Sequence, residues 1–302
     1  MKRLILVYNP RSSRYADVER EVISKTTKLK GYLVGKFEVA PTNLDDNIKK
    51  LSQIIKAGDL IISAGGDATG VIASNAILKA NQNATLAVLP YGNFNDLSRT
   101  LGTGNLEKAL RAQNSPKKFY PLEIIVDDKL FRYATCYITI GMTAESVKIY
   151  DEPKNRQKLK TSFGRKVGSY ITLAKWYFKN RHRKQFLPKF QLNKKTVPPK
   201  TSDYFAINGR YVARVMKGGM DYLSPQTFKS ATFRLTNFWR LVKMMVPSIV
   251  RSISASETQS DILEFAQPST VTMQAEGESV SLKNIRSIKI KKANQYLKVI
   301  VL

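Results

Sequence analysis

Residues 63–70 read Ser63-Ala64-Gly65-Gly66-Asp67-Ala68-Thr69-Gly70, directly after the apolar run Asp59-Leu60-Ile61-Ile62 and before a helix-like stretch, Val71 to Lys79. A buried strand running into paired glycines, then an aspartate, a threonine and a helix, is suited to handling phosphate. Gly65 and Gly66 permit close approaches that a Cβ would block. The helix start offers unpaired N–H groups and a positive dipole end to an anion, and Thr69 stands within reach of the same spot. Asp67 is the residue type that holds a metal ion against phosphate charge. Alone, such a loop is equally a plain structural turn.

Two further loops share its character. The strand-like run Thr85-Leu86-Ala87-Val88-Leu89 ends in Pro90-Tyr91-Gly92-Asn93-Phe94-Asn95-Asp96-Leu97-Ser98-Arg99. At the start of the chain, Leu4-Ile5-Leu6-Val7-Tyr8 runs into Asn9-Pro10-Arg11-Ser12-Ser13. Three strands ending in polar loops imply one crevice, because ligands of open α/β sheets bind outside the carboxyl ends of the strands.

These residues resemble the catalytic domain shared by diacylglycerol kinases, sphingosine kinases and bacterial lipid kinases. That family carries, in this order, an Asn-Pro-x-Ser-Gly loop, a Gly-Gly-Asp-Gly-Thr loop and a Pro-x-Gly-Thr-x-Asn-Asp-Phe-Ala-Arg loop. The counterparts here are Asn9 to Ser13, Gly65 to Thr69 and Pro90 to Arg99. Weaker echoes are Gly141-Met142-Thr143-Ala144-Glu145 and the late Glu276-Gly277-Glu278. There are departures: Ser13 and Ala68 stand where the family has Gly, Asn93 where it has Thr, and Glu276 where it has Asp. A positive φ at Ala68 would cost about 1 kcal/mol.

The resemblance implies an ATP-dependent kinase that moves the γ-phosphate to a diacylglycerol-like lipid hydroxyl. It implies Gly65, Gly66 and Thr69 around the phosphates, and Asn9, Gly92, Asn93 and Asn95 along the nucleotide crevice. Asp67 is the expected Mg²⁺ ligand and shares the catalytic role with Glu278, which matches the family's general base. Asp221 is the expected counterpart of a structural Mg²⁺ ligand. Glu278 has a second reading as part of a plain hairpin turn, and Asp96 reads as either a helix cap or a catalytic group. Two alternatives stay open: a catalytically impaired lipid- or nucleotide-binding relative, and a soluble-substrate kinase such as an NAD kinase.

The elements that must position these loops follow from patterning. Strands are expected at 4–8, 36–40, 59–64 and 85–90, and helices at about 15–29, 44–57, 69–80 and 94–113. Such alternation predicts an α/β domain over 1–118 with a mostly parallel sheet, of the NAD-kinase/diacylglycerol-kinase-like type. From 119 to 291 the pattern turns β-rich, with a hairpin of 122–127 and 131–140 and strands at 203–208, 230–236, 270–275 and 285–291. The final strand, about 292–302, is expected to return to the first domain.

Charge is the other informative feature. The formal net charge is +27. Residues 153–202 hold 15 Lys or Arg and no acid, and 153–256 hold 23 basic residues against Asp203 and Asp221. Within that stretch, 168–184 and 237–251 mix basic residues with aromatics, including both tryptophans, Trp176 and Trp239. Such helices either pack on a core with a solvated basic face or dock on an anionic membrane surface. No nucleic-acid-binding signature is present, so no specific nucleic-acid partner is expected. The single cysteine, Cys136, excludes an intramolecular disulfide framework and reads as a small buried hydrophobe. The Leu4–Val7 run is too short for a signal peptide. The expected location is cytoplasmic, at the inner face of the membrane.

Overall fold

In the computed structural model the described residues are 1–12, 14–92, 95–150, 171, 174–182, 187–212, 216–217, 223–235, 237, 239, 255–276 and 278–302. The chain first alternates β1 (Lys2–Tyr8), α1 (Tyr15–Val18), a π-helical turn (Glu19–Ile23), α2 (Ser24–Thr26), β2 (Tyr32–Glu38), α3 (Leu44–Ile54), β3 (Leu60–Gly65), α4 (Asp67–Ala80), β4 (Thr85–Pro90), α5 (Asp96–Leu101) and α6 (Leu106–Ala112). It continues through β5 (Lys117–Phe119), β6 (Leu122–Val126), β7 (Lys129–Ala134), β8 (Tyr137–Gly141), α7 (Met142–Tyr150), β9 (Phe190–Leu192), β10 (Lys195–Thr196) and β11 (Thr201–Ile207). The last elements are β12 (Tyr211–Val212), β13 (Met216–Lys217), β14 (Phe228–Arg234), β15 (Ser256–Thr258), β16 (Ser260–Ala275), β17 (Glu278–Lys292) and β18 (Leu297–Val299).

The first sheet has the order β2-β1-β3-β4-β18-β5. Its neighbours run parallel except for β18 and β5. Successive side chains of a strand point to opposite faces, and β1 shows the consequence. Ile5 and Val7 enter a core with Leu44, Ile48 and Leu51 of α3 and Val71 to Leu78 of α4. Leu4, Leu6 and Tyr8 enter a second core with Val18, Val22, Leu106 and Ala109 on the other side. Cover on both faces explains the near-continuous apolar runs of the strands.

Late in the chain, β18 enters this sheet between β4 and β5. The chain crosses between sheets at 120–121 and again near 293. Ala293 N donates to Pro121 O at 2.9 Å. The buried Lys292 Nζ donates to Tyr120 O at 3.0 Å and to Asn208 Oδ1 at 2.6 Å.

The second sheet is antiparallel, with the path β15-β14-β11-β8-β16-β17-β6-β7 and with β9 on β16. Its own core gathers Ile138, Ile140, Tyr204, Phe228, Leu263, Met273 and Ile288. The two sheets do not form independent cores. Cys136, Tyr137, Phe205, Ile207 and Val212 pack into the α3–α4 core of the first sheet. Asn75 of α4 grips Tyr133 from both sides: its Nδ2 donates to Tyr133 O at 3.0 Å, and its Oδ1 accepts from Tyr133 N at 2.9 Å.

Several elements differ from the expectation in bounds or in kind, the helix expected over 15–29 being three short pieces and α7 being unexpected, and two of the differences have a plain local cause. The helix expected over 94–113 is two helices, because Gly102 ends α5 in the left-handed conformation (φ 74°). A fresh cap at Asn105, whose Oδ1 accepts from Lys108 N, then starts α6. The strand expected over 131–140 breaks at Thr135–Cys136. There Cys136 O accepts from Asn208 N and Gly209 N, both at 2.7 Å, instead of continuing the ladder. The hairpin turn before it is as expected, with Asp127 and Asp128 both at positive φ.

Of the two basic segments, 171 and 174–180 are described as helix, and 237 and 239 are described in the second. Trp176 is buried at 3% exposure, whereas Ile171, Phe178 and Trp239 are exposed at 48, 50 and 71%. One tryptophan therefore anchors its helix to the protein rather than facing outward.

Candidate active site

β1, β3 and β4 are parallel neighbours, so their carboxyl ends deliver the three polar loops to one edge of the sheet. The first loop is an Asx turn. Asn9 Oδ1 accepts from Arg11 N and Asn9 O from Ser12 N, each at 3.0 Å. It is tied to the third loop twice: Ser12 Oγ donates to Tyr91 O at 3.3 Å, and Arg14 Nη1 to Pro90 O at 3.0 Å. The Arg14 guanidinium also lies 5.3 Å from the Tyr91 ring centroid.

The second and third loops touch backbone to backbone. A Cβ on Gly92 would overlap Gly66 Cα, and one on Gly65 would overlap the Thr69 side chain. Thr69 is therefore buried against Gly65. Gly66, Asp67 and Gly92 are half-exposed and Ala68 is exposed, so they form the open rim of the crevice. Ala68 lies inside α4 and has no positive φ, so the alanine there carries no backbone strain.

Asp67 begins α4, a helix of 14 residues. Its Oδ2 accepts from Asn95 N at 2.9 Å and its Oδ1 from Asp96 N at 2.7 Å. Asp96, read as either a helix cap or a catalytic group, is the first residue of α5, and Asp67 supplies the capping carboxylate. Enclosure between the loops pushes the Asp67 carboxyl up from its ordinary value, while the amides of Asp96, Asn95 and Leu97 pull it down. The net direction is upward. Asn95 is buried in the left-handed conformation and closes its own loop. Its Oδ1 accepts from Gly92 N at 2.6 Å and its Nδ2 donates to Gly92 O at 2.8 Å. The side chain is thus used within the loop. Asn93, Asp221, Ser13 and Gly277 lie outside the described residues.

The long β16–β17 hairpin, in which Ala275 pairs with Glu278, brings its turn within electrostatic reach of Asp67. Glu276 sits in the turn at φ 50° and is buried. Its Oε1 accepts from Thr135 Oγ1 at 2.6 Å and from Cys136 N. Burial, with a further push from the Asp67 charge, raises its pKa from 4.5 to about 7, against those two donors. Burial also pushes the Cys136 thiol well up, so the buried cysteine is protonated and no nucleophile. Glu278 is 33% exposed and pairs with Arg132 Nη1.

Sequence reasoning missed Arg132. In β7 the apolar Leu130 is 53% exposed and Arg132 only 7%. Exposure is a property of the fold, so no local sequence pattern singled out this arginine.

Among the described residues no group of three or more His, Cys, Asp or Glu could hold a metal ion. The chain offers Asp67, half-exposed at the rim, with one amide on each oxygen. One carboxylate fits a Mg²⁺ whose remaining ligands are substrate phosphates and water.

Three loops at the carboxyl ends of parallel strands and the start of α4 together form an α/β arrangement that could hold phosphate. Residues 3–118 match the family model "Diacylglycerol kinase catalytic domain", so this segment is similar to the catalytic domain of that kinase family. None of the curated proteins matches the chain. Among solved structures, a protein of Bacillus anthracis str. Sterne assigned as a diacylglycerol kinase is similar at 16% identity, with a TM-score of 0.68 over 100% of this chain and 97% of that one. A diacylglycerol kinase of the same organism is similar at 14% identity and a TM-score of 0.63, with the same coverage. At such identities the likeness is one of fold.

Proposed function

We propose that the chain is an ATP-dependent lipid kinase, transferring the γ-phosphate of ATP to a diacylglycerol-like hydroxyl at a membrane surface. One observation carries this reading: the Gly65–Asp67 rim is fixed against Gly92 at the carboxyl ends of parallel strands, with the buried Glu276 of the β16–β17 turn within electrostatic reach of Asp67. Phosphoryl transfer asks chiefly for positioning and charge neutralisation. The amides at the start of α4 hold phosphate oxygens, and Asp67 would hold the Mg²⁺ that neutralises their charge. Gly92 and Asn9 border the nucleotide, and Glu278 takes the proton of the attacking lipid hydroxyl.

The strongly basic 153–256 region, with Phe178 and Ile171 exposed on one helix and Trp239 exposed on the second segment, suits an anionic leaflet. No helix among the described residues is long and apolar enough to cross a membrane. The alternative is a catalytically impaired relative that binds lipid or nucleotide.

The test is transfer of labelled γ-phosphate from Mg-ATP into a mixed lipid extract in micelles. Wild type is expected to label one lipid class. Glu278→Gln is expected to lower kcat by about 100-fold, within the range of a lost general base. ATP binding without labelling by wild type selects the impaired relative. In a second measurement, the protein is expected to sediment with phosphatidylglycerol vesicles and not with phosphatidylcholine vesicles, and to be released by salt. Equal sedimentation with both would remove the electrostatic docking.

A further inference from the structure

We infer that Arg132, seated by Asn75, is the positioning residue that holds Glu278 at the crevice, and thereby ties the candidate base to the helix that starts at the phosphate loop. This rests on the kinase reading above.

The path is short and made of rigid parts. α4 begins at Asp67, and Asn75 lies eight residues along it, about 12 Å at the rise of an α-helix. Asn75 is buried at 4% exposure, and it takes both backbone groups of Tyr133 as a neighbouring strand would. It also donates to Val71 O at 3.0 Å, which fixes its rotamer on the helix. Tyr133 is the next residue after Arg132 on β7. The Arg132 side chain then reaches in two directions: Nη1 to Glu278 Oε2, and Nη2 to Asp45 Oδ1 of α3 at 3.0 Å. The Phe131 ring lies 5.1 Å from its Cζ.

Burial argues that this is more than a surface ion pair. Arg132 is 7% exposed, and its Nε has no hydrogen-bond partner among the described residues. A guanidinium taken out of water with one donor unspent is costly, and surface pairs contribute little. Its two carboxylate partners set its position, and one of them is Glu278, the proposed base. Asp45 is 68% exposed, so it acts as an outer anchor and the inner contact is with Glu278. The hairpin tip is held independently by Glu276 on Thr135 and Cys136, and by Ser279 Oγ donating to Ala144 O at 3.0 Å. The backbone at Glu278 is thus placed without Arg132. What Arg132 adds is the direction of the carboxylate.

A double-mutant cycle tests this, with kcat and the KM for ATP measured for Arg132→Gln, Arg132→Lys, Glu278→Gln and the Arg132→Gln/Glu278→Gln pair. Arg132→Gln is expected to lower kcat about tenfold or more and to leave KM for ATP within about twofold. Arg132→Lys is expected to restore part of the loss. The pair is expected to be no slower than Glu278→Gln alone, because a residue acting through another adds nothing once that other is gone. Asp45→Asn, which leaves the Glu278 contact intact, is expected to lower kcat about twofold to threefold and keeps the idea testable if Arg132→Gln unfolds. Additive losses in the pair, or a kcat that rises in Arg132→Gln, would overturn the positioning role while the kinase reading stands. A wild-type protein that labels no lipid overturns both.

Discussion

Gly92→Ala is expected to lower kcat/KM for ATP by about 100-fold or more while the protein remains folded. The reason is the contact of two loops through their backbones. A methyl group at residue 92 would overlap Gly66 Cα and lie 2.9 Å from Asn95 Oδ1 and 3.0 Å from Gly66 N. Two of those three neighbours are main chain and cannot swing aside. The loops must part, and the bond from Gly92 N to Asn95 Oδ1 must lengthen from 2.6 Å. Gly66 caps the helix whose amides would hold the phosphates in the proposed reaction, and Asn95 N and Asp96 N hold Asp67. One displacement therefore moves the proposed phosphate cradle and the proposed metal ligand together. Misplacement by about 1 Å at a reacting group costs about 100-fold, whereas overpacking costs only about 1–3 kcal/mol of stability. Gly104→Ala is the control, since a Cβ there meets only Lys108 Cδ at 3.9 Å. Steady-state kinetics and melting of both variants check the prediction. Gly92→Ala working within threefold of wild type would mean that the loops do not need this contact.

The parts of the site that were legible in the sequence are local ones. Gly65-Gly66-Asp67 and Pro90 to Arg99 are contiguous, and the strand patterns before them fix which edge of the sheet they occupy. Their chemistry was less legible where a side chain spends itself on a distant partner. Asp67 reads as a free ligand until the amides of Asn95 and Asp96, 28 and 29 residues on, are seen to face it. Asn95 reads as a nucleotide contact, but both ends of its amide serve Gly92. Arg132 and Glu278 are 146 residues apart, and no local pattern joins them. Trp176 shows the same limit for the basic region: aromatic and cationic residues on one helix do not say which aromatic faces the core. Conversely, the break of the 94–113 helix carried a local signal, Gly102 followed by Asn105 and a second helical run. There the long amphipathic pattern outweighed the stop and start residues within it.

Glu276 sets the second large effect, on stability. The folded protein holds this proton up to about pH 7, whereas an ordinary glutamate releases it near 4.5. Between those values the folded state binds more protons than the unfolded chain, so stability falls as pH rises and the contribution is lost above about pH 7. The displacement corresponds to roughly 3 kcal/mol. Asp203 acts in the same direction over a lower window. It is buried, accepts from Thr143 N at 2.6 Å and Ser202 Oγ at 2.8 Å, and is raised from 3.8 to about 6. Urea unfolding from pH 4 to 8 is therefore expected to show a continuous loss of stability, with Asp203 dominating the acid half and Glu276 the neutral half. In Glu276→Gln the side-chain carbonyl still accepts from Thr135 Oγ1 and Cys136 N, and no charge is buried above neutrality. That variant is expected to flatten the curve between pH 6 and 8, to keep below pH 6 only the slope that Asp203 supplies, and to gain about 1–3 kcal/mol over wild type at pH 8. An unchanged slope between pH 6 and 8 would show that Glu276 is ionised throughout. The hairpin tip would then be held by a charged carboxylate on Thr135 and Cys136, and the repulsion between Glu276 and Asp67 across the crevice would need another source of compensation.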